Sequence, residues 1–168
     1  MSPFQQMWAP WRMDFLQAPK EKGCFMCRIA GEPARDAENY VVKRDGTCLL
    51  LLNRYPYNGG HLLVAPLRHV ASLGELEEAE LLGMMRFAQL GERLLRRVSK
   101  PDAFNFGINQ GAAAGAGLKD HLHLHIVPRW NGDMNFLPVF SGVRVVPQAL
   151  DELHAALVAA LAEEEAGA

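Results

Sequence analysis

Asp120-His121-Leu122-His123-Leu124-His125-Ile126-Val127-Pro128-Arg129 decides how this 168-residue chain is read. A β-strand turns successive side chains to opposite faces. A strand predicted over 121–128 therefore sets His121, His123 and His125 on one face and turns Leu122, Leu124 and Ile126 toward a core. Three imidazoles in a row are costly to bury without partners, and Ser, Thr or Lys would serve a merely solvated face as well. A three-histidine metal site is one chemical reading, although ligands at i, i+2 and i+4 on a flat strand converge poorly beyond two. Catalysis is the other: one imidazole acts as nucleophile while its neighbours set its tautomer and protonate a leaving group. The stretch just ahead, Asn109-Gln110-Gly111-Ala112-Ala113-Ala114-Gly115-Ala116-Gly117, consists mostly of small residues, which let backbone N–H groups approach an anion. A histidine nucleophile beside an anion cradle points to attack on phosphorus.

Working outward, Asn39–Lys43 and Thr47–Leu52 read as strands joined by a hairpin turn at Arg44-Asp45-Gly46. His61–Ala65 and Ala103–Asn109 read as two more. Ser72-x-x-Glu75 is a capping box ahead of a helix, and Met84, Phe87, Leu90, Leu94 and Val98 form its apolar stripe. Arg93, Arg96, Arg97 and Lys100 suit its C-terminal dipole, and Pro101 stops it. A short helix follows Cys24. Pro147 suits the first turn of a last helix, striped by Leu150, Leu153, Leu157 and Leu161. Strands interspersed with one long helix and a C-terminal helix predict an α+β fold with an antiparallel sheet. The whole of 1–168 reads as one domain, with an irregular arm over 1–20 and the C-terminal helix over 147–166.

Lys and Arg number 17 against 19 Asp and Glu, a net charge of −2, so the chain carries no polybasic footprint for nucleic acid. A nucleotide needs only a local site. No segment is apolar enough to span a membrane and no secretory leader is visible, so a cytoplasmic protein is expected. The odd count of three cysteines argues against a disulfide framework. Cys24-Phe25-Met26-Cys27 fits a tetrahedral metal knuckle, a redox pair or two buried thiols, and spacing alone leaves these open. Cys48 and His61 read as structural, and His154 as a flank residue of the last helix.

Taken together, Asn105-Phe106-Gly107-Ile108-Asn109-Gln110-Gly111, the Ala114-Gly115 loop, His121-x-His123-x-His125, Asn53 through Tyr55-Pro56-Tyr57-Asn58-Gly59-Gly60-His61, and Pro66-Leu67-Arg68-His69 resemble the histidine-triad (HIT) superfamily. The matching motifs run from Cys24 to about Pro138. Met7-Trp8-Ala9-Pro10-Trp11-Arg12 and Trp130-Asn131-Gly132-Asp133-Met134-Asn135-Phe136 are most similar to its bacterial diadenosine tetraphosphate hydrolase or phosphorylase branch. The resemblance implies a HIT-like fold with His123 as nucleophile on the α-phosphorus of a nucleotide, giving a nucleotidyl-histidine intermediate. It implies that His125 contacts phosphate near the leaving group and Asn53 the ribose. Asn109, Gly115, Ala116 and Gly117 would surround the phosphates. Many relatives carry Ser or Thr where Gly117 stands, so here backbone N–H must serve. The loop from Gly115 to His121 is also one residue longer than in the eukaryotic fragile-histidine branch.

In zinc-bearing relatives the cysteine knuckle is completed by two histidines that correspond to His69 and His121. The resemblance therefore implies a closed, structural Cys24–Cys27–His69–His121 zinc site. It further implies a dinucleoside polyphosphate substrate with a nucleotide such as AMP released to water or phosphate, and a homodimer built on the long helix and an edge strand. A phosphoramidase of the same superfamily, with an amine leaving group, is one alternative. A nucleotide-binding module without turnover is the other. Arg129 and Trp130 are expected to shape the pocket or the dimer.

Overall fold

The computed structural model describes residues 23–133 and 149–167. Three helices and five strands occur there: α1 (Phe25–Gly31), β1 (Val41–Arg44), β2 (Cys48–Leu52), β3 (Leu62–Pro66), α2 (Glu78–Val98), β4 (Ala103–Ile108), β5 (Leu124–Arg129) and α3 (Leu150–Ala166). The strands form one sheet in the order β1-β2-β3-β5-β4, every neighbouring pair antiparallel. This is the expected α+β architecture. The arm over 1–20, Pro138 and Pro147 lie outside the described residues.

β2 and β3 are buried along their whole length, because both faces of the sheet are covered there. Leu50, Leu52, Leu62, Val64 and Ile126 pack beneath α2 and α3. Leu49, Leu51, Leu63 and Ala65 pack on the other face against Met26 and Ile29 of α1. This double burial explains the unbroken leucine run of β2, where a half-exposed strand would alternate. β5 does alternate, buried and half-buried in turn, and β4 at the sheet edge is mostly exposed. The face of β5 and β4 that the other described residues leave largely open is the one that carries His125, opposite Gly107 in the ladder.

Several boundaries differ from the expected ones. β5 begins at Leu124, not His121. The Leu122 N–H donates to the Val70 carbonyl and the His121 carbonyl accepts from the His123 ring, so neither enters the ladder. β1 begins at Val41, because Tyr40 takes a left-handed backbone (φ 57°). The Ser72–Glu75 box caps only a single 3₁₀ turn. Leu76 then extends, and a second box, Glu77 with Glu80, starts α2. The hairpin turn holds as expected, with the Asp45 carboxylate accepting the Thr47 and Cys48 N–H groups. No helix among the described residues is long and apolar enough to cross a membrane.

Candidate active site and metal centre

Three of the six histidines, His61, His121 and His123, are more than nine-tenths buried, and the hydrogen bonds around them and His125 fix where the protons sit. A backbone carbonyl only accepts and a backbone N–H only donates. His123 Nδ1 lies 2.8 Å from the His121 carbonyl oxygen, so in the neutral ring Nδ1 carries the proton and Nε2 keeps its lone pair. His121 Nε2 lies 2.9 Å from the Pro66 carbonyl. That ring therefore presents the Nδ1 lone pair, which faces the sulfurs of Cys24 and Cys27 at 3.2 and 3.5 Å.

His125 is oriented by a longer chain. The Tyr57 N–H donates to His61 Nδ1 at 3.1 Å, and the Asn53 amide nitrogen lies 3.1 Å from the same atom. His61 Nε2 therefore bears the proton and donates to His125 Nδ1 at 2.9 Å. The remaining proton of His125 is then on Nε2, and the Asn109 side-chain amide 3.4 Å away accepts it when turned to present its oxygen to the ring. The rings of His123 and His125 meet edge to face, 4.8 Å between centroids, and Tyr57 stacks on His61 at 4.8 Å. One imidazole thus offers a lone pair and its neighbour an N–H.

Burial pulls His123 below its usual range, against the His121 carbonyl, which favours the protonated form. Burial and then the nearby His123 push His125 down to about 4. At neutral pH only about one His125 ring in a thousand is an imidazolium. In the free protein it is a hydrogen-bond donor, not a charged acid.

His61 was expected to make a structural hydrogen bond, and it makes one to His125. It holds the tautomer of His125, and it reaches that position through Gly60. Gly60 has a φ of 79°, and a Cβ there would stand 3.0 Å from Leu95 and 3.1 Å from Pro128. Only glycine tolerates both constraints. Asn53 sits behind this relay, its oxygen accepting the Tyr55 N–H. The Gly/Ala loop closes on itself: the Gly115 and Ala116 N–H groups bond the Ala112 and Gly111 carbonyls. Those two amides face inward while that turn holds, and Gly117 is exposed.

Arg129 grips the Asp133 carboxylate with two N–H groups at 2.6 and 2.8 Å. Asn58 donates to the same carboxylate at 3.0 Å. Arg129 holds Asp133 down at about 2. This clip ties the loop of Tyr57 to the end of β5. It had no sequence signal beyond a charged pair four residues apart. Trp130 donates to the Ser99 carbonyl. Cys48 is buried as expected. His154 is half-buried, its Nε2 donating to the Val41 carbonyl at 2.9 Å.

Cys24, Cys27, His69 and His121 come together from the start of α1, the loop after β3 and the approach to β5. Their four ligand atoms all lie within 4.8 Å of one another, and His69 Nδ1 is 3.1 Å from Cys27 Sγ. Two thiols and two imidazoles suit a tetrahedral, borderline-soft cation. The Pro66 carbonyl orients His121 in the way an outer hydrogen bond orients a ligating histidine. The donor set fits zinc.

The HIT domain family matches residues 34–132, and the chain is 40% identical over 153 residues to the AP-4-A phosphorylase of Mycobacterium tuberculosis, covering 87% of this chain and 78% of that protein. The chain belongs to the HIT family. Among solved HIT structures, a Zn-bound histidine triad protein from Mycobacterium smegmatis superimposes with a TM-score of 0.68 at 29% identity, covering 87% of this chain and 98% of that one. A histidine triad nucleotide-binding protein from Sulfolobus tokodaii gives 0.67 at 26% identity, covering 84% and 94%. As a HIT enzyme the chain is a nucleotidyl hydrolase or phosphorylase.

Proposed function

We propose that this HIT protein cleaves dinucleoside polyphosphates of the diadenosine tetraphosphate type and passes the nucleotide to phosphate or water. The supporting observation is the pair of opposed tautomers, His123 with its Nε2 lone pair beside His125 with its Nε2–H. The His123 Nε2 lone pair forms a bond to the α-phosphorus. The bond from that phosphorus to the bridging oxygen breaks, and its electrons leave with the nucleoside polyphosphate. The His123 ring, now bearing positive charge, is steadied by the His121 carbonyl on Nδ1. An oxygen of phosphate or water then attacks the same phosphorus, and the P–N electrons return to Nε2. Splitting the displacement into two steps is the usual gain from a covalent intermediate. The His125 N–H, oriented by His61, donates to oxygens that gain charge, which is where fixed donors help most. Asn109 sits beside it. Asn53 is read as the ribose contact, and Gly115, Ala116 and Gly117 as phosphate contacts once the turn over 112–116 opens.

Likeness to the mycobacterial phosphorylase favours phosphate as acceptor. His123→Ala is expected to lower turnover of diadenosine tetraphosphate by at least a thousandfold while AMP still binds; retained turnover refutes the nucleophile. Mass spectrometry in ¹⁸O-labelled water separates the acceptors. ADP formed only with added phosphate marks a phosphorylase, and labelled AMP marks a hydrolase.

Cys24, Cys27, His69 and His121 are read as ligands of one structural zinc ion, which when bound supplies a crosslink and no chemistry. Three cysteines outside any disulfide suit a reducing, cytoplasmic setting. The exposed edge strand β4, with Phe106 47% exposed, and the exposed Leu81 and Met85 of α2, at 41% and 59%, are read as the surfaces of a homodimer. Light scattering of the intact chain tests it.

A further inference from the structure

Gly107 pairs directly with His125 across the β4–β5 ladder, so the two positions share a face of the sheet. A Cβ built on Gly107 would meet nothing within 4 Å among the described residues, and its φ is not in the left-handed region. Neither backbone conformation nor crowding accounts for glycine here. The missing side chain opens a cavity of about 160 Å³ beside the His125 ring, bounded by Tyr57, Asn105, Asn109 and Val127. The cavity runs along the strands away from His123. Its first wall is the Tyr57 ring, tilted 5.7 Å from His125. Its far end is Asn105, whose oxygen accepts from Arg129 at 2.9 Å, leaving the amide nitrogen as donor.

Among the described residues, no charged side chain lines this slot. Arg129, the cation at its end, is committed to Asp133 and Asn105. A further phosphate would need cations or several free N–H groups. A neutral heterocycle suits an aromatic ring, a valine and two amides. We propose that the slot over Gly107 receives the nucleoside at the far end of the leaving group, and that Gly107 is the position that sets this preference. The proposal rests on His123 attacking the phosphate on the other side of His125.

The test compares diadenosine tetraphosphate with adenosine 5′-tetraphosphate, which offers the same attacked phosphate but lacks the second nucleoside. Valine at 107 fills the slot and is favoured in a strand. Gly107→Val is expected to lower kcat/KM for the dinucleotide at least tenfold and to leave the mononucleotide within twofold. Val127→Phe, filling the slot from its other wall, is expected to do the same. An equal fall on both substrates, or no fall on either, overturns the proposal. A His123→Ala background supplies a binding readout free of catalysis: Gly107→Val should weaken the dinucleotide tenfold and not AMP, and equal affinities overturn the slot. If the wild-type chain cleaves neither substrate yet this selective loss of binding appears, the proposed reaction fails and the slot stands. If cleavage is normal and Gly107→Val changes nothing, the slot fails and the reaction stands.

Discussion

The role proposed for His125 rests on a proton position, and that position has a consequence for stability. The unfolded chain binds a proton at this residue near pH 6.5, the folded chain only near 4. Between those values the unfolded state holds more protons, so stability falls as pH is lowered from 6.5 toward 4. By pH 5 the loss from this one ring comes to about 2 kcal/mol. Urea unfolding of wild type and His125→Asn at pH 7 and pH 5 checks this. The variant is expected to lose less stability over the interval, and an equal loss would mean that His125 is not held neutral by the fold. The alternation of His121, His123 and His125 with leucines was legible in the sequence. The proton on each ring was not, because it is set by carbonyls at Pro66 and His121 and by the Tyr57 N–H.

α2 shows how an element is held where the site needs it. Its glycine at 91 lies against the sheet: a Cβ there would stand 2.9 Å from Ile126 Cδ1 and 3.1 Å from Leu62 Cδ1. Ile126 is the neighbour of His125 on β5, so this contact sets the height of the helix over the strand that carries His125. Gly91→Val is expected to cost about 1–3 kcal/mol through overpacking, read from the urea midpoint. The ion pairs of α2 with α3 matter less. Arg93–Glu164 and Arg97–Glu163 are largely exposed, and such pairs contribute about 0.2–1 kcal/mol each. The stripe of α2 was visible in sequence, with its arginines in the last turns. Its start was not. Two capping boxes, Ser72–Glu75 and Glu77–Glu80, lie five residues apart, and only the extended backbone at Leu76 separates the 3₁₀ turn from the helix.

Across the whole molecule, the proposed zinc site ties α1 to the segment that leads into β5. Removing the metal with a strong chelator is expected to lower the thermal midpoint, and readdition of zinc to restore it. Elemental analysis of protein purified without chelator should find about one zinc per chain. A metal-free protein with an unchanged midpoint would refute the crosslink. The same connection places a structural ligand, His121, two residues from the proposed nucleophile, so one carbonyl and one ring serve two sites.

Resemblance to the HIT family implied how the histidines and cysteines divide into two sets; the sequence's own patterns determined the α+β class, the antiparallel sheet and the faces of its helices. These follow from period-two and period-3.6 patterns and from residue chemistry, which are local. Only the tertiary structure decided that His61 bonds His125, that the Asn58–Asp133–Arg129 clip holds the Tyr57 loop, and that among the described residues Gly107 leaves open space beside the His125 ring. Each of these joins residues from different strands or loops. A side chain's partner, and a gap where a side chain is missing, are properties of packing that no local pattern encodes.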